Sequence, residues 1–596
     1  MLYPRVNRFR QVIELSGFWD FRPDFRDEGA AAGWTRGFSG AVPLAVPASW
    51  NDQVADLRDF LGPAWYSTAF ELPESWGTGQ LLLRFDSVNY LAAVWLNGVH
   101  LGDHEGGHLP FSFDVTSAVR PGQNLLVLRV DGRLAPDRVP PGNVPAGPLD
   151  GFPNNPPYPA ASFDFFPFCG IHRPVRLCRV PWPAIEAIEV ETALEGKGAA
   201  VRVIVRAGGA PGAAPGAVPE AAPGTTLGTA VHVRLEGHGE SVSAEADISG
   251  GTAEMTVRVS RPALWSCESP SLYNLEVQLL RGQEPIDSYT LPVGIRTIEV
   301  RGDSLLLNGA PIVLKGFGRH EDFPVTGRGL VPAVIVRDFD IMKWVGANSF
   351  RTTHYPYSEE MMDLADRLGF LVIDEIPAVG LFFAEEGLAR RKALCASYLR
   401  DLVERDRNHP SVIAWSIANE PHSRRPAAGP FFKDLVELTR SLDSTRLVTV
   451  VSHVGVEEEA FSFCDILCLN RYYGWYTEGG RIEEGCVKLS EEIDALHEKF
   501  RKPLILSEFG ADTVSGWHSE PPEMFSEEYQ ALFIERYMDV LRSRPWVVGQ
   551  HVWNLCDFKT GQSIQRVGGM NLKGVFTRDR RPKMAAHALR RLWGCR

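Results

Sequence analysis

Val412-Ile413-Ala414-Trp415-Ser416-Ile417-Ala418-Asn419-Glu420-Pro421 is a strand-like run that ends on a lone glutamate, and Pro503-Leu504-Ile505-Leu506-Ser507-Glu508-Phe509-Gly510 repeats the form. Near-continuous apolar runs of this kind fit strands of a buried parallel sheet. An ionised carboxylate at the end of such a strand is costly to desolvate unless something pairs it or uses it. Two of them point to a carboxylate pair that does chemistry.

Outward from these runs, the sequence after Arg301 reads as strand, loop and helix in repetition. Strands are expected at Ile312 to Gly316, Ala347 to Thr352, Phe370 to Ile373, Val412 to Ile417, Leu447 to Val451, Ile466 to Leu469, Leu504 to Leu506 and Val547 to Val552. Amphipathic stretches fall between most of them: Ser358 to Leu368, Arg390 to Arg407, Phe431 to Leu442, Leu489 to Phe500 and Glu527 to Ser543. Eight strands alternating with helices predict a (β/α)8 TIM barrel over residues 297–596, with its chemistry at the strand C-terminal ends. Glu420 and Glu508 fall there, on the fourth and seventh strands.

The 596 residues exceed what one core supports and suggest roughly three or four domains. Residues 1–180 read as short strands broken by Gly, Pro, Asn and Asp, including Gln80 to Phe85, Ala92 to Leu96 before the turn pair Asn97-Gly98, and Leu125 to Val130. That is a β-sandwich pattern. Residues 181–296 continue it with Ile185 to Glu191, Ala200 to Arg206, Ala230 to Leu235, Ala253 to Val259 and Leu272 to Leu280, spaced as in a small immunoglobulin-like sandwich. Inside it, Ala207 to Gly224 is almost wholly Gly, Ala, Pro, Val and Glu and is expected to be a mobile loop.

The net charge of −13 and the lack of a basic run argue against nucleic acid or an anionic membrane as partner. Nine scattered cysteines lack disulfide or zinc spacing and read as reduced. The first ten residues lack the apolar core of a signal peptide, and no later run is long enough to span a bilayer, so a cytoplasmic location is the expectation. Cys464 and Cys468 would share a strand face as buried packing.

A carboxylate pair on different strands suits glycosidic bond cleavage. One group attacks the anomeric carbon and the other protonates the leaving oxygen, about 5 to 5.5 Å apart in retaining enzymes. Asp374 and Glu375, at the end of the third strand, are the competing pair; we read them as structural, paired with Arg351 or another buried base.

Asn419-Glu420-Pro421 and Ser507-Glu508-Phe509-Gly510 on a terminal barrel behind two β domains resemble glycoside hydrolase family 2. In the first domain Trp95-Leu96-Asn97-Gly98, Gly102 to His108, Pro110-Phe111 and Gly170 to Val175 resemble the family's sugar-binding jelly roll. The resemblance implies that Glu420 is the general acid/base and Glu508 the nucleophile, with no cofactor and no metal. It also implies substrate-binding roles for Asp164, His354, Asn419, Asn470, Tyr472, Tyr476, Trp553 and Arg566. Asp164 would reach into the barrel to a sugar hydroxyl, His354 would bond another, and Asn419 the 2-hydroxyl. Tyr472 would hold the nucleophile ionised and Trp553 would form an apolar floor.

The family includes galactosidases, mannosidases and glucuronidases, so the pair alone does not name the sugar. Asn571-Leu572-Lys573, after the eighth strand, resembles the Asn-x-Lys motif with which β-glucuronidases hold the substrate's C6 carboxylate. The implied activity is a retaining exo-β-glucuronidase acting on small-molecule or oligosaccharide β-glucuronides. Its rivals are a β-galacturonidase, a neutral-sugar β-galactosidase, and, from a different class, a non-catalytic carbohydrate-binding protein. Met570 is one residue more than the motif's usual spacing and would shift the clamp. The segment Ala378 to Ala389 is short where gut-bacterial relatives carry a long loop, which implies an open aglycone side. Family habit makes a homo-oligomer possible.

Overall fold

The computed structural model describes residues 2–77, 79–144, 157–208 and 230–594. Residues 209–224 of the expected mobile loop lie outside these, while Ala207 and Gly208 instead close the strand Gly198–Gly208.

The first domain is a sandwich of two antiparallel sheets. A six-stranded sheet runs in the order Val42–Val46, Gly17–Pro23, Pro63–Leu72, Gly122–Asp131, Leu91–Leu96, Val99–Glu105. A four-stranded sheet runs Gln11–Glu14, Val175–Val180, Gln80–Phe85, Phe111–Asp114. Leu91–Leu96 buries every second residue, as period-two alternation requires. Its two-residue turn places both Asn97 (φ 53°) and Gly98 (φ 81°) in the left-handed region that a type I′ hairpin needs. Trp19, Phe21, Trp50, Tyr66, Leu83 and Phe85 fill the space between the sheets.

The second domain is immunoglobulin-like. Ala184–Glu195, Gly198–Gly208 and Thr252–Val259 form one sheet; Glu240–Asp247, Ala230–Gly237, Tyr273–Arg281 and Glu284–Val293 form the other. Valines 201, 203, 205, 231, 233 and 277 meet between them. Glu240–Asp247 buries no residue, and its Glu-Ser-Val-Ser-Ala-Glu-Ala-Asp sequence holds a single strong strand former. Pairing with Ala230–Gly237 makes it a strand.

The third region is a closed parallel barrel: β1 Leu314–Gly318, β2 Ser349–Arg351, β3 Leu371–Glu375, β4 Val412–Asn419, β5 Leu447–Ser452, β6 Leu467–Asn470, β7 Leu504–Glu508 and β8 Val547–Val552. Its helices are α1 Pro332–Val345, α2 Glu359–Leu368, α3 Leu388–Asp406, α4 Ala428–Leu442, α5 Ile482–Phe500, α6 Glu527–Arg542 and α7 Met584–Leu592. Between β5 and β6 the connection is two short 3-10 turns. Local signals set the helix limits. Ser358 caps α2 by accepting from the Met361 amide, and Gly369 (φ 76°) ends it.

β1 begins two residues later than expected. The Ile312 amide bonds back to the Leu305 carbonyl, so Ile312 belongs to the hairpin under the barrel rather than to the strand. That hairpin brings Leu305 and Leu307 against Leu314, Leu371, Ile373, Ile413 and Ile505, closing the strands' N-terminal end with apolar side chains. The opposite end carries the buried polar residues. Cys464 precedes β6 rather than sharing its face with Cys468, and the two enter different apolar clusters.

The first domain leans on that polar end. Phe163 and Phe165 join the barrel's core, and Arg173 donates to the Pro356 carbonyl at 2.7 Å and pairs with Glu321 at 3.0 Å. His108 stacks on Tyr355 with ring centres 4.5 Å apart. The glycine-rich segment before His108 is thus a docking surface between domains.

Candidate active site

Arg351, at the end of β2, is fully buried and organises the centre. Its Nη1 donates to both oxygens of Glu375, at 2.8 and 2.7 Å, and to Asn419 Oδ1 at 3.3 Å, while Nη2 donates to Glu508 Oε1. One guanidinium therefore ties the ends of β2, β3, β4 and β7. Burial alone would raise the Glu375 carboxyl, but Arg351, His354 and Ser416 together hold it below the usual carboxylate range. Glu375 is the paired residue expected from the sequence. Among the described residues Asp374 has no ion pair with a base: it accepts from the Thr352 hydroxyl at 2.9 Å, and burial together with the neighbouring Asp406 pushes it well above the usual range. Its side chain alternates away from Glu375 along β3, which explains the difference.

Glu508 closes β7 and is 4% exposed. Tyr472 donates to its Oε2 at 2.7 Å, and His354 Nε2 lies 3.8 Å from Oε1. Burial lifts its pKa to about 7; Arg351 opposes, Glu420 adds to the rise, and His354 and Tyr472 oppose again. Two donors thus select the anion in a site whose desolvation disfavours it. Glu420 follows β4 in the left-handed region (φ 45°), held there by its amide bond to the Val451 carbonyl at 2.9 Å. A non-glycine residue in this conformation costs about 1 kcal/mol or more and persists where the surroundings enforce it. Asn470 donates to Glu420 Oε1 at 2.8 Å and accepts from the Ser507 hydroxyl at 2.9 Å, so the two glutamate-bearing strands are linked through β6.

Asn419 accepts through Oδ1 from Arg351 and Asn470, both at 3.3 Å, and its amide nitrogen makes no hydrogen bond among the described residues. His354 is engaged through Nδ1 with Glu375 at 2.8 Å and stacks on Trp553, ring centres 5.1 Å apart. Trp553 is buried, and Gly510 permits its approach: a Cβ there would lie 2.1 Å from the Trp553 carbonyl oxygen.

A second polar cluster adjoins the first. Lys573, 1% exposed, donates to Tyr476 Oη at 2.7 Å and pairs with Asp512. Arg566 donates to Tyr476 Oη at 2.8 Å and, through Nε, to Asp164 Oδ1 at 2.8 Å. Asn571 donates to Asp164 Oδ2 at 2.8 Å. The first domain's Asp164 is thus locked to the barrel loop that carries Arg566, Asn571 and Lys573. Burial would raise Asp512, but Lys573, Arg566 and the Leu572 amide hold it below the usual range. Upstream of the clamp Gly568 and Gly569 turn through positive φ, and Met570 and Asn571 pair with Lys559 and Phe558.

The structure therefore gathers the twelve catalytic and substrate-binding candidates read from the sequence into these two clusters, which meet where Tyr472 packs on Tyr476, ring centres 5.2 Å apart. Sequence reasoning missed Asp512 and the bridging role of Arg351. Asp512 lies four residues after Glu508, but nothing in Ala511-Asp512-Thr513 signals that its partner lies beyond the eighth strand. Among the described residues, Asp363, Asp366 and His409 are grouped closely enough to hold a metal; they include neither glutamate, and His409 is ion-paired with Asp366. Within Ala378 to Ala389, Leu381, Phe382 and Phe383 are buried, Glu385 and Glu386 are exposed, and the Gly380 amide donates to the Asn419 carbonyl.

Residues 298–595 match the family model "Glycosyl hydrolases family 2, TIM barrel domain", residues 12–181 the family's "sugar binding domain", and residues 184–296 the model "Glycosyl hydrolases family 2". A curated β-glucuronidase of Paenibacillus borealis is 38% identical across 100% of this chain and 98% of its own length. The Homo sapiens β-glucuronidase is also 38% identical, over 100% of this chain and 92% of its own. Among solved structures, the Dictyoglomus thermophilum β-D-glucuronidase superposes with a TM-score of 0.89 at 38% identity, covering 100% of this chain and 99% of that one. The Ruminococcus gnavus β-glucuronidase in complex with D-glucaro 1,5-lactone gives 0.91 at 35%, covering 99% of each. The chain belongs to glycoside hydrolase family 2 and is a glycoside hydrolase.

Proposed function

We propose that this family 2 hydrolase is a retaining exo-β-glucuronidase in which Glu508 is the nucleophile and Glu420 the acid/base. The observation that carries the reading is the cluster of buried Lys573 and Asn571 with half-buried Arg566 beside the glutamates. A uronic acid differs from a neutral hexose by a carboxylate at C6, and an ammonium, a guanidinium and an amide are the donors that recognise it. The activity printed for the full-length relatives supports the same substrate.

In the first step a Glu508 oxygen attacks the anomeric carbon while the Glu420 proton passes to the glycosidic oxygen, and the aglycone leaves. Glu420, now ionised, takes a proton from water, whose oxygen attacks the same carbon and frees glucuronate and Glu508. Asn470 aims Glu420 throughout. Asn419 offers its free amide nitrogen to the 2-hydroxyl, a contact that strengthens in the transition state.

A panel of nitrophenyl β-glycosides tests the substrate: glucuronide turnover far above that of galacturonide, galactoside and glucoside is expected, and a neutral-sugar preference refutes it. Glu508→Gln is expected to abolish turnover with the fold intact by circular dichroism; ordinary activity refutes the role. We also infer a reducing, cytoplasmic setting, supported by the free state of all eight cysteines among the described residues, and tested by cell fractionation. A homo-oligomer is expected from the family alone and is measured by light scattering.

A further inference from the structure

Away from the glutamates, the second domain meets the N-terminal end of the barrel across a cavity of about 250 Å³. Its charged lining is Arg296, Arg407, Arg446 and Glu191; Ser444 brings a hydroxyl, while the Thr192 hydroxyl donates to the Arg296 carbonyl at 2.8 Å. Two of the three arginines are neutralised. Arg407 pairs with Glu189 at 2.6 Å, and Arg446 pairs with Asp443 at 2.9 Å.

Arg296 has no such partner. It sits on the linker into the barrel, is 5% exposed, and donates through Nε to the Pro410 carbonyl at 3.0 Å and through Nη2 to the Val412 carbonyl at 2.6 Å. Its Nη1 makes no hydrogen bond, and no carboxylate lies within ion-pair distance, among the described residues. Other buried arginines are compensated: Arg351 by Glu375 and Glu508, Arg319 and Arg580 by Asp338, Arg84 by Asp86. Arg328 and Arg391 lie instead over aromatic rings, 4.2 Å from Tyr355 and 4.0 Å from Phe382. Buried charges in proteins are paired or coordinated, because an uncompensated one costs several kcal/mol. Burial, and then the Arg446 charge, pull the Arg296 guanidinium down to about 9, and the more distant Asp443 and Asp366 carboxylates only partly oppose that fall.

We propose that this cavity is a binding site for a small oxyanion, a phosphate or a small carboxylate, held by Arg296 and the Ser444 hydroxyl. The anion supplies the missing counter-charge and ties the linker, the second domain and the barrel's N-terminal end together. The site is independent of the glucuronidase reading, since it shares no residue with either active-site cluster.

Titration calorimetry of the full chain with inorganic phosphate, at ionic strength held constant with chloride, tests it. The Lys573→Ala variant is used alongside wild type so that phosphate in the uronate cluster is not counted. One phosphate per chain is expected in both proteins, displaced by sulfate or malonate; the tighter competitor tells tetrahedral oxyanion from carboxylate. Arg296→Met is expected to weaken binding at least about tenfold, the scale of a lost charge-assisted hydrogen bond. Ser444→Glu, an exposed position at the rim, places a tethered carboxylate there, and is expected to abolish phosphate binding while glucuronide turnover stays at the wild-type level. If Arg296→Met fails to fold, Ser444→Glu decides alone. Absence of binding in wild type, its loss in Lys573→Ala, or unchanged affinity in Ser444→Glu each overturns the proposal.

Discussion

Tyr472→Phe isolates how the nucleophile is kept ionised. The Tyr472 hydroxyl donates to Glu508 Oε2 at 2.7 Å, a bond that stabilises only the carboxylate form. A hydrogen bond to a charged group is worth about 1.5 to 3 kcal/mol, and one pKa unit corresponds to about 1.4 kcal/mol. Removing it is expected to raise the Glu508 pKa by about one to two units above its wild-type value of about 7. The sign follows from the chemistry: the nucleophile must be ionised, so activity is lost as pH falls through this pKa, and the acidic limb moves to higher pH in the variant. Well below the limb, kcat/KM falls by about ten- to a hundredfold relative to wild type. Above both limbs the two enzymes converge, apart from contacts of the hydroxyl with the sugar. The assay is kcat/KM on nitrophenyl β-glucuronide across pH, with circular dichroism as a fold control. A uniform loss at every pH, with the limb unmoved, refutes the claim that Tyr472 acts through the ionisation of Glu508.

Lys573→Ala is expected to lower kcat/KM on the glucuronide by about ten- to a hundredfold while the slow glucoside rate changes little, measured with paired nitrophenyl substrates. Equal losses on both would show that Lys573 supports the loop and does not read the sugar. From the shortness of Ala378 to Ala389 and the burial of its Leu381, Phe382 and Phe383, triterpenoid or oligosaccharide glucuronides are expected to turn over at rates comparable to phenyl glucuronides. Rapid hydrolysis of the small ones alone would sink this.

The barrel and its carboxylates were legible because the strands that carry Glu420 and Glu508 are short and nearly all apolar, and the sequence changes character where each run stops. Glu240–Asp247 was not, since an edge strand with no buried residue carries no alternation to find. The start of β1 was misjudged for a tertiary reason: Ile312 satisfies its amide in a hairpin, and either assignment is apolar. Asp512 shows the limit for sites. Its role comes from meeting Lys573 and Arg566 across a loop about sixty residues away, and no local pattern encodes such a meeting.

That meeting bears on how an acidic sugar is recognised at all. Around the second cluster, Lys573 and Arg566 are balanced by Asp512 and Asp164, so the cluster as built carries no net charge, within a chain of net charge −13. Long-range attraction therefore cannot be the source of uronate selectivity; it must come from donors brought into contact, where burial keeps screening ions out. Salt should then act in the direction opposite to that of an electrostatically steered enzyme. Screening weakens the repulsion between an acidic protein and an anionic substrate, so kcat/KM is expected to stay level or rise modestly, by less than about threefold, as sodium chloride increases over the physiological range. A steep fall with salt would mean that the carboxylate is drawn in by a net positive field, and that Asp512 does not hold its charge opposite Lys573.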